Sequence, residues 1–218
     1  SHGLQGINMR ISLLTLLLVV GFLVGRLTSL PAEQASSVRD KRQPRTIHVP
    51  ADHGRIQQAI DAANDGDTVL VAPGVYREQL QLKGKQITLA SRFLTSRDRK
   101  DVERTVLDGK ATDEEKNSRG NTLIRVAGDV GPKTSIIGFT IKNGDDGIIC
   151  SAQIEIAHNR FINNGDAIDY ESGGGICRHN VFEKNRDDAV DLDGASEAII
   201  EDNLILNSGD DGIEIRLH

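Results

Sequence analysis

Aspartates recur at matching positions in the C-terminal part of the chain, and their spacing suits a metal ion. Adjacent pairs stand at Asp145-Asp146, Asp187-Asp188 and Asp210-Asp211, and Asp166 takes the corresponding place between the first two pairs. A further acid follows three residues later in three of these four segments. Carboxylate oxygens are the ligands that Ca²⁺ prefers. The predicted metal ligands are Asp166, Asp169, Asp187, Asp188, Asp191, Asp210, Asp211 and Glu214.

Two histidines offer a different kind of metal site. His158-Asn159 and His179-Asn180 repeat one motif, and Asp202-Asn203 stands at the next repeat. Two imidazoles and a carboxylate can bind a transition metal. The alternative, for the histidines and the aspartates alike, is that they serve only as turn residues.

An internal repeat must position these side chains. The segment Gly138–Ile148 is matched without a gap by Asn180–Val190 and Asn203–Ile213, and with one deletion by Asn159–Ile168. The four segments begin 21, 21 and 23 residues apart. This period, with short strands and no leucine ladder, predicts a parallel β-helix rather than leucine-rich repeats.

Stacked coils would bring equivalent residues into ladders along the axis, about 4.8 Å apart. Side chains alternate along a strand, so one set faces the core and the other faces out. The inward pairs are expected to be Ile148/Cys150, Ile168/Tyr170, Val190/Leu192 and Ile213/Ile215, and the outward residues Ile149, Asp169, Asp191 and Glu214. Neighbouring carboxylates would repel by about 0.9 kcal/mol in water and about 3.5 kcal/mol at an effective dielectric near 20. Such a ladder must splay into solvent, take up protons or bind a cation.

Other repeated residues predict structural ladders. Asn159, Asn180 and Asn203 are expected to satisfy buried backbone groups in the turns, and Phe161 and Phe182 are expected to stack in the core. Cys150 and Cys177 fall on inward positions of different strands, which favours buried free thiols over a disulfide.

The chain before the repeats divides by composition. Residues 1–8 precede the single methionine, residues 9–35 resemble a signal peptide or membrane anchor, and residues 36–45 form a polar linker. The β-helix domain is expected over 46–218, with the clearest repeats in 134–218. A short amphipathic helix at Arg55–Asn64 is expected to cap its first coil, while Arg97–Arg104 and Lys110–Gly120 are expected to form charged loops. Because the last repeat stops at His218, we expect the domain to be incomplete.

Charge and composition exclude several classes of protein. Residues 1–133 carry a net charge of +5 and residues 134–218 one of −11, which together give the chain's −6. An acidic half repels nucleic acid and anionic membranes, and 3% aromatic residues without tryptophan provide no base-stacking platform. The partners that remain are cations, or an anionic ligand bridged by cations. We expect membrane contact only through the N-terminal segment, and a monomer.

Residues 46–218 resemble the right-handed parallel β-helix, or pectin-lyase-like, superfamily. The resemblance is carried by Asp65-Gly66-Asp67-Thr68-Val69 and Ala72-Pro73-Gly74-Val75-Tyr76. It implies an all-β, right-handed parallel β-helix with an N-terminal capping helix, and PbH1-type repeats. Lyases, hydrolases, epimerases and plain binders share this solenoid, so the fold does not decide the function.

A narrower resemblance links Asp187-Asp188-Ala189-Val190-Asp191-Leu192 to the calcium pocket of one pectate lyase family. It implies Asp187, Asp188 and Asp191 as Ca²⁺ ligands, with Asp166 or Asp169 as the fourth. The sequence departs from that family in Ala189, where glycine is expected, and the family's catalytic lysine would lie beyond His218. Lys184 and Arg186 are the basic residues close to this motif.

Three functions follow as hypotheses. The first is an exported protein that binds an acidic polysaccharide or cell-surface glycan through Ca²⁺, and could act as a pectate-type lyase by β-elimination. The second is a non-catalytic surface, adhesion or carbohydrate-binding module. The third is a periplasmic copper-binding maturation factor, since one β-helix family acts in nitrous oxide reductase maturation. All three place the protein outside the cytoplasm, secreted, periplasmic or at the cell surface.

Overall fold

A computed structural model describes residues 42–110 and 120–216, which form a parallel β-solenoid of about seven turns. The described residues contribute nineteen strands and three short helices. All strand pairs are parallel, and from β2 onward each coil contributes one strand to each of three sheets, while β1 adds a seventh strand to one of them. The β-helix predicted from the repeats is therefore confirmed, and with it the membership of the wider superfamily.

The three sheets are named here by their strands in chain order. Sheet A consists of β1 (Thr46–Val49), β2 (Thr68–Val71), β5 (Thr88–Ser91), β8 (Ser135–Ile137), β11 (Gln153–Ala157), β14 (Gly174–Arg178) and β17 (Glu197–Glu201). Sheet B consists of β3 (Gly74–Tyr76), β6 (Thr105–Asp108), β9 (Thr140–Lys142), β12 (Arg160–Ile162), β15 (Val181–Glu183) and β18 (Leu204–Leu206). Sheet C consists of β4 (Leu80–Leu82), β7 (Ile124–Val126), β10 (Asp146–Cys150), β13 (Asp166–Glu171), β16 (Val190–Asp193) and β19 (Ile213–Arg216).

The register of sheet C follows the repeat. Ile148 pairs with Ile168, which pairs with Val190, and all three are buried in the core. The outward residue of each coil also pairs with its equivalent, so that Asp169 stands beside Asp191. The pairing of equivalent residues on neighbouring strands, predicted for the inward and the outward sets, is thus confirmed.

Burial departs from the simple alternation at two places. Ile213 and Ile215 keep the core register but are 43% and 63% exposed, because no described coil covers them. On the outward side, Ile149 and Asp191 are buried. Neighbouring coils lie so close that their side chains cover an outward residue almost as well as the core would.

Short helices close one end and one side of the stack. Helix α1 (Ile56–Ala62) packs against β1, β2 and β4 with Ile56, Ala59 and Ile60 buried, as the cap predicted over 55–64 requires. Helix α2 (Phe93–Ser96) is followed by helix α3 (Arg99–Arg104), which corrects the prediction of a charged loop at 97–104. Asp98 accepts a hydrogen bond from the amide of Lys100 and so caps α3. Buried Val102 then anchors that helix.

Two amide ladders hold the corners of the coils. Asn180 Oδ1 accepts from the backbone amide of Asn159, and Asn203 Oδ1 accepts from that of Asn180, as predicted. A second ladder, which the sequence analysis did not assign, joins Asn164 to Asn185 in the same way. Phe161 and Phe182 stack with their ring centroids 5.0 Å apart. Cys150 and Cys177 are buried free thiols.

The predicted leader at 9–35 and the charged loop between 111 and 119 lie outside the described residues. Within the described residues, no helix has both the length and the apolar character needed to cross a membrane.

Candidate functional site

The main candidate site is an acidic face along sheet C. We define the acidic face as the outward residues of β13, β16 and β19 together with the aspartates of the adjoining turns: Asp166, Asp169, Glu171, Asp187, Asp188, Asp191, Asp193 and Glu214. Parallel pairing in register brings these residues together from three successive coils.

Three groups on this face place a potential ligand atom from each member within 4.8 Å of the others. They are Asp166, Asp187 and Asp188; Asp169, Asp191 and Asp193; and Asp188, Asp191 and Glu214. Six of the eight predicted ligands therefore converge. Asp210 and Asp211 are exposed and belong to no such group among the described residues.

Two turn aspartates also hold the backbone of the next coil. Asp166 Oδ1 accepts a hydrogen bond of 3.0 Å from the amide of Asp188, whose own Oδ1 accepts one of 2.7 Å from the amide of Asp211. This supports the turn role considered for these residues. The second oxygen of Asp166 remains for another partner, whereas the Asp188 carboxyl also forms a side-chain hydrogen bond with Glu214.

The central acids of the face are buried and incompletely bonded. Asp188 and Asp191 are only 2% and 3% exposed. The Oδ1 atoms of Asp169, Asp191 and Asp193 are buried and have no hydrogen-bond partner among the described residues. Buried carboxylate oxygens without partners are costly, so each marks a place where a cation or a proton would stabilise the fold.

The protonation of the face follows from the same crowding. Burial raises the pKa of Asp169 to about 7, and the charges of Glu171 and Asp191 add to the rise. Burial likewise raises the pKa of Asp166 to about 6, although the amide of Asp188 opposes it. Burial and the nearby Glu214 raise the pKa of Asp188 to about 6. The ladder thus favours uptake of positive charge.

Three residues at this face were missed by the sequence analysis, namely Glu171, Asp193 and Arg216. Asp193 follows Asp191 by two residues and so lies on the same side of the strand. Period-two alternation is the sequence signal that could have identified it. Arg216 Nη1 lies 3.0 Å from Asp191 Oδ2 and 3.8 Å from Asp193 Oδ1, and Arg216 also pairs with Glu214. An arginine thus neutralises one end of the acidic face.

The two basic residues near the aspartate motif do not meet these acids. Arg186 donates a hydrogen bond of 2.7 Å to the carbonyl of Gly144 and lies 3.9 Å from Asp145 Oδ1. Lys184 stands in a turn with a φ of 55°. Among the described residues, neither side chain forms an ion pair or a hydrogen bond with an acid of the acidic face.

The histidine pair lies on another side of the coil, at the turns between sheets A and B. His158 and His179 stack with ring centroids 4.9 Å apart and an interplanar angle of 20°, as predicted. Their φ values are 58° and 55°, in the left-handed region that histidine, like asparagine, enters more readily than most residues. His179 Nδ1 is 3.9 Å from Asp202 Oδ2, so the three residues do adjoin one another along the axis.

The environment of the pair keeps one imidazole neutral. Burial lowers the pKa of His158, and the neighbouring His179 and Arg97 lower it further. A groove of about 340 Å³ lies beside both rings, with Phe93 and Val102 of α2 and α3 among its lining residues. A neutral imidazole beside an open groove can donate its nitrogen lone pair to a metal.

The donor set of the pair fits copper in part. Imidazole nitrogen is a good copper ligand, and a carboxylate can complete a tetragonal Cu²⁺ site. In the described residues, however, no group of three ligand atoms within 4.8 Å includes a histidine. The structure thus supplies two adjacent nitrogen donors and a nearby carboxylate.

Comparison with known proteins adds one finding. A family model described as "Periplasmic copper-binding protein (NosD)" matches residues 63–217, which include both candidate sites. The comparisons with curated proteins and with solved structures find no significant match.

Proposed function

Because the chain belongs to the NosD family of periplasmic copper-binding proteins, we propose that it binds copper in the periplasm through His158 and His179. The family's location agrees with the export expected from the sequence. The family match, which spans most of the β-helix, is the observation that carries this proposal. The physiological step would be delivery of the metal to a periplasmic reductase.

The chemistry of the available donors supports the histidine pair over the cysteines. Burial raises the pKa of the Cys150 thiol to about 11 and that of Cys177 to about 12. Copper binds the thiolate, not the thiol, and these two thiols stay protonated in the core. The imidazoles border a groove, and His158 is held neutral.

The chain's own residues would prepare this site in three ways. The left-handed turns stack the two rings on successive coils, and burial favours the unprotonated form of His158. Asp202 lies near Nδ1 of His179 and can orient that ring or donate an oxygen. When bound, copper would supply the redox-active cargo that a reductase requires.

The test measures Cu²⁺ binding by the full chain. Calorimetry gives the affinity, and electron paramagnetic resonance identifies the ligands. The variants are His158→Asn and His179→Asn, because asparagine tolerates positive φ and so preserves the turns. We expect each variant to weaken Cu²⁺ binding at least about tenfold and to reduce the nitrogen hyperfine structure from that of two imidazoles to that of one.

His48→Asn is the matched control, since His48 is an exposed residue of β1 far along the chain from the pair. It should bind Cu²⁺ like the unmodified chain. An unchanged affinity and an unchanged two-nitrogen pattern in both variants of the pair would refute the proposed ligands. Absence of Cu²⁺ binding by the unmodified chain would refute the function.

A second candidate function is binding of an acidic polysaccharide through Ca²⁺, which the acidic face favours. A calcium ion held there could bridge the carboxylates of the protein and those of a uronate polymer. Lyase activity would also need a base, and Lys184 and Arg186 are not placed for that role among the described residues. Pull-down of the chain by polygalacturonate beads, with Ca²⁺ and then with chelator, tests this candidate.

A further inference from the structure

We propose that the acidic face contains a binding site for a hard divalent cation of the calcium class, with Asp169, Asp191 and Asp193 as its protein ligands. The site is separate from the histidine pair and does not depend on the copper function. It would be the cation site that polysaccharide binding requires.

Convergence is the first argument. Asp169 and Asp191 are register partners on neighbouring strands, and Asp193 stands two residues further along the same side of β16. A ligand atom from each of the three lies within 4.8 Å of the other two. Three carboxylates carry six oxygens, of which Asp191 Oδ2 is bonded to Arg216. Ca²⁺ takes about six to eight oxygen ligands. Water would complete the coordination.

Unmet bonding is the second and independent argument. The three buried oxygens without hydrogen-bond partners on this face, all Oδ1 atoms, belong to the same three residues. Asp191 is 3% exposed, and its Oδ2 is already bonded to Arg216. Its other oxygen is thus buried among like charges, where a cation would satisfy it.

Charge balance is the third argument. Two more acids stand beside these three. Glu171 is the strand partner of Asp193, and Glu214 is the strand partner of Asp191. Arg216 contacts Asp191, Asp193 and Glu214, while Arg125 lies 3.9 Å from Glu171. Among the described residues no basic side chain forms an ion pair with Asp169, and burial and the neighbouring acids raise its pKa to about 7. The uncompensated charge is therefore centred beside Asp169.

The experiment is thermal unfolding and calorimetry of the full chain with chelator, with millimolar Ca²⁺ and with millimolar Mg²⁺. We expect Ca²⁺ to raise the unfolding temperature by several degrees. Mg²⁺ should bind more weakly, because it demands a tighter octahedral geometry. Asp169→Asn and Asp193→Asn should each weaken Ca²⁺ binding at least about tenfold, and both keep the size of the side chain.

Two controls separate this site from general charge effects and from the copper site. Glu197→Gln removes one charge from an exposed position on sheet A, and His158→Asn removes a candidate copper ligand. Both should retain the full calcium response. The proposal is overturned if the unmodified chain shows no calcium response, if Mg²⁺ binds more tightly than Ca²⁺, or if Asp169→Asn and Asp193→Asn both bind Ca²⁺ as the unmodified chain does.

Discussion

At the scale of single residues, the environment of a side chain decides which chemistry it can perform. Asp169 and Asp210 are both repeat aspartates, but Asp169 is crowded by buried acids whereas Asp210 is exposed in a turn. The two cysteines of a copper-binding family member are likewise withdrawn into the core as protonated thiols. Residue type alone therefore ranks these side chains wrongly, because burial and neighbouring charge set their pKa values.

The pH dependence of stability tests the crowding around Asp169. Its pKa is about 7 in the folded protein, against about 4 in an unfolded chain. Between these values the folded state binds more protons, so the free energy of unfolding should fall as the pH rises from about 4 to about 7. Asp169→Asn should remove part of this slope and, without cations, raise stability near neutral pH.

The measurement is urea unfolding in chelator at several pH values across this window. Glu197→Gln serves as the control, because it removes a charge of the same sign from an exposed strand position. An Asp169→Asn variant whose stability follows pH with the same slope as the unmodified chain would contradict the raised pKa.

At the scale of elements, the close spacing of neighbouring strands restricts which residues can occupy them. Gly175 of β14 has a φ of 100°, and a Cβ atom there would lie 2.1 Å from the carbonyl oxygen of Ile154 in β11. A run of three glycines, here Gly173-Gly174-Gly175, is typical of a loop, yet Gly174 and Gly175 lie in a strand of sheet A. Absence of a side chain permits the close approach of two backbones here.

We predict that Gly175→Ala lowers the free energy of unfolding by at least about 2 kcal/mol, because of backbone strain and the clash with β11. Gly54→Ala is the matched control, since nothing lies within 4 Å of a Cβ atom at that position. Thermal or urea unfolding compares the two. Equal stability of the two variants would mean that sheet A tolerates a wider strand spacing at this point.

At the scale of the whole molecule, a solenoid joins each coil only to its neighbours, so stability propagates along the axis. Helix α1 covers the first coil, while Ile213 and Ile215 remain uncovered in the last described coil. The two candidate metal sites lie on different sides of the same coils, the histidines between sheets A and B and the acids on sheet C. One stack of coils can thus present two separate metal chemistries.

We predict that Ile60→Ala in α1 loosens the capped end and leaves distant coils protected. The loss of a buried isoleucine costs about 2–5 kcal/mol, and Ile60 is fully packed in the core. Hydrogen exchange should speed up in β1 and β2 and change little in β14 and β16. Asp61→Ala, on the exposed side of the same helix, is the control. Uniform acceleration in all coils would indicate a single cooperative unit instead.

Much of the architecture was contained in the repeat. Its period placed Asp169 beside Asp191 and stacked His158 on His179, since an offset of one coil brings equivalent residues to adjacent strands. The sequence also identified six of the residues that converge on the acidic face. These features depend only on which residues occupy equivalent positions in successive coils, and the spacing of the repeats specifies those positions.

The tertiary structure decided what those ladders can do. It brought Asp193 and Arg216 into the acidic face, left carboxylate oxygens buried without partners, and placed α2 and α3 beside the histidines to form a groove. These features depend on how loops and side chains pack across neighbouring coils. Periodicity specifies position along the axis, whereas burial, ion pairing and access to solvent are set by lateral packing between segments that differ from repeat to repeat.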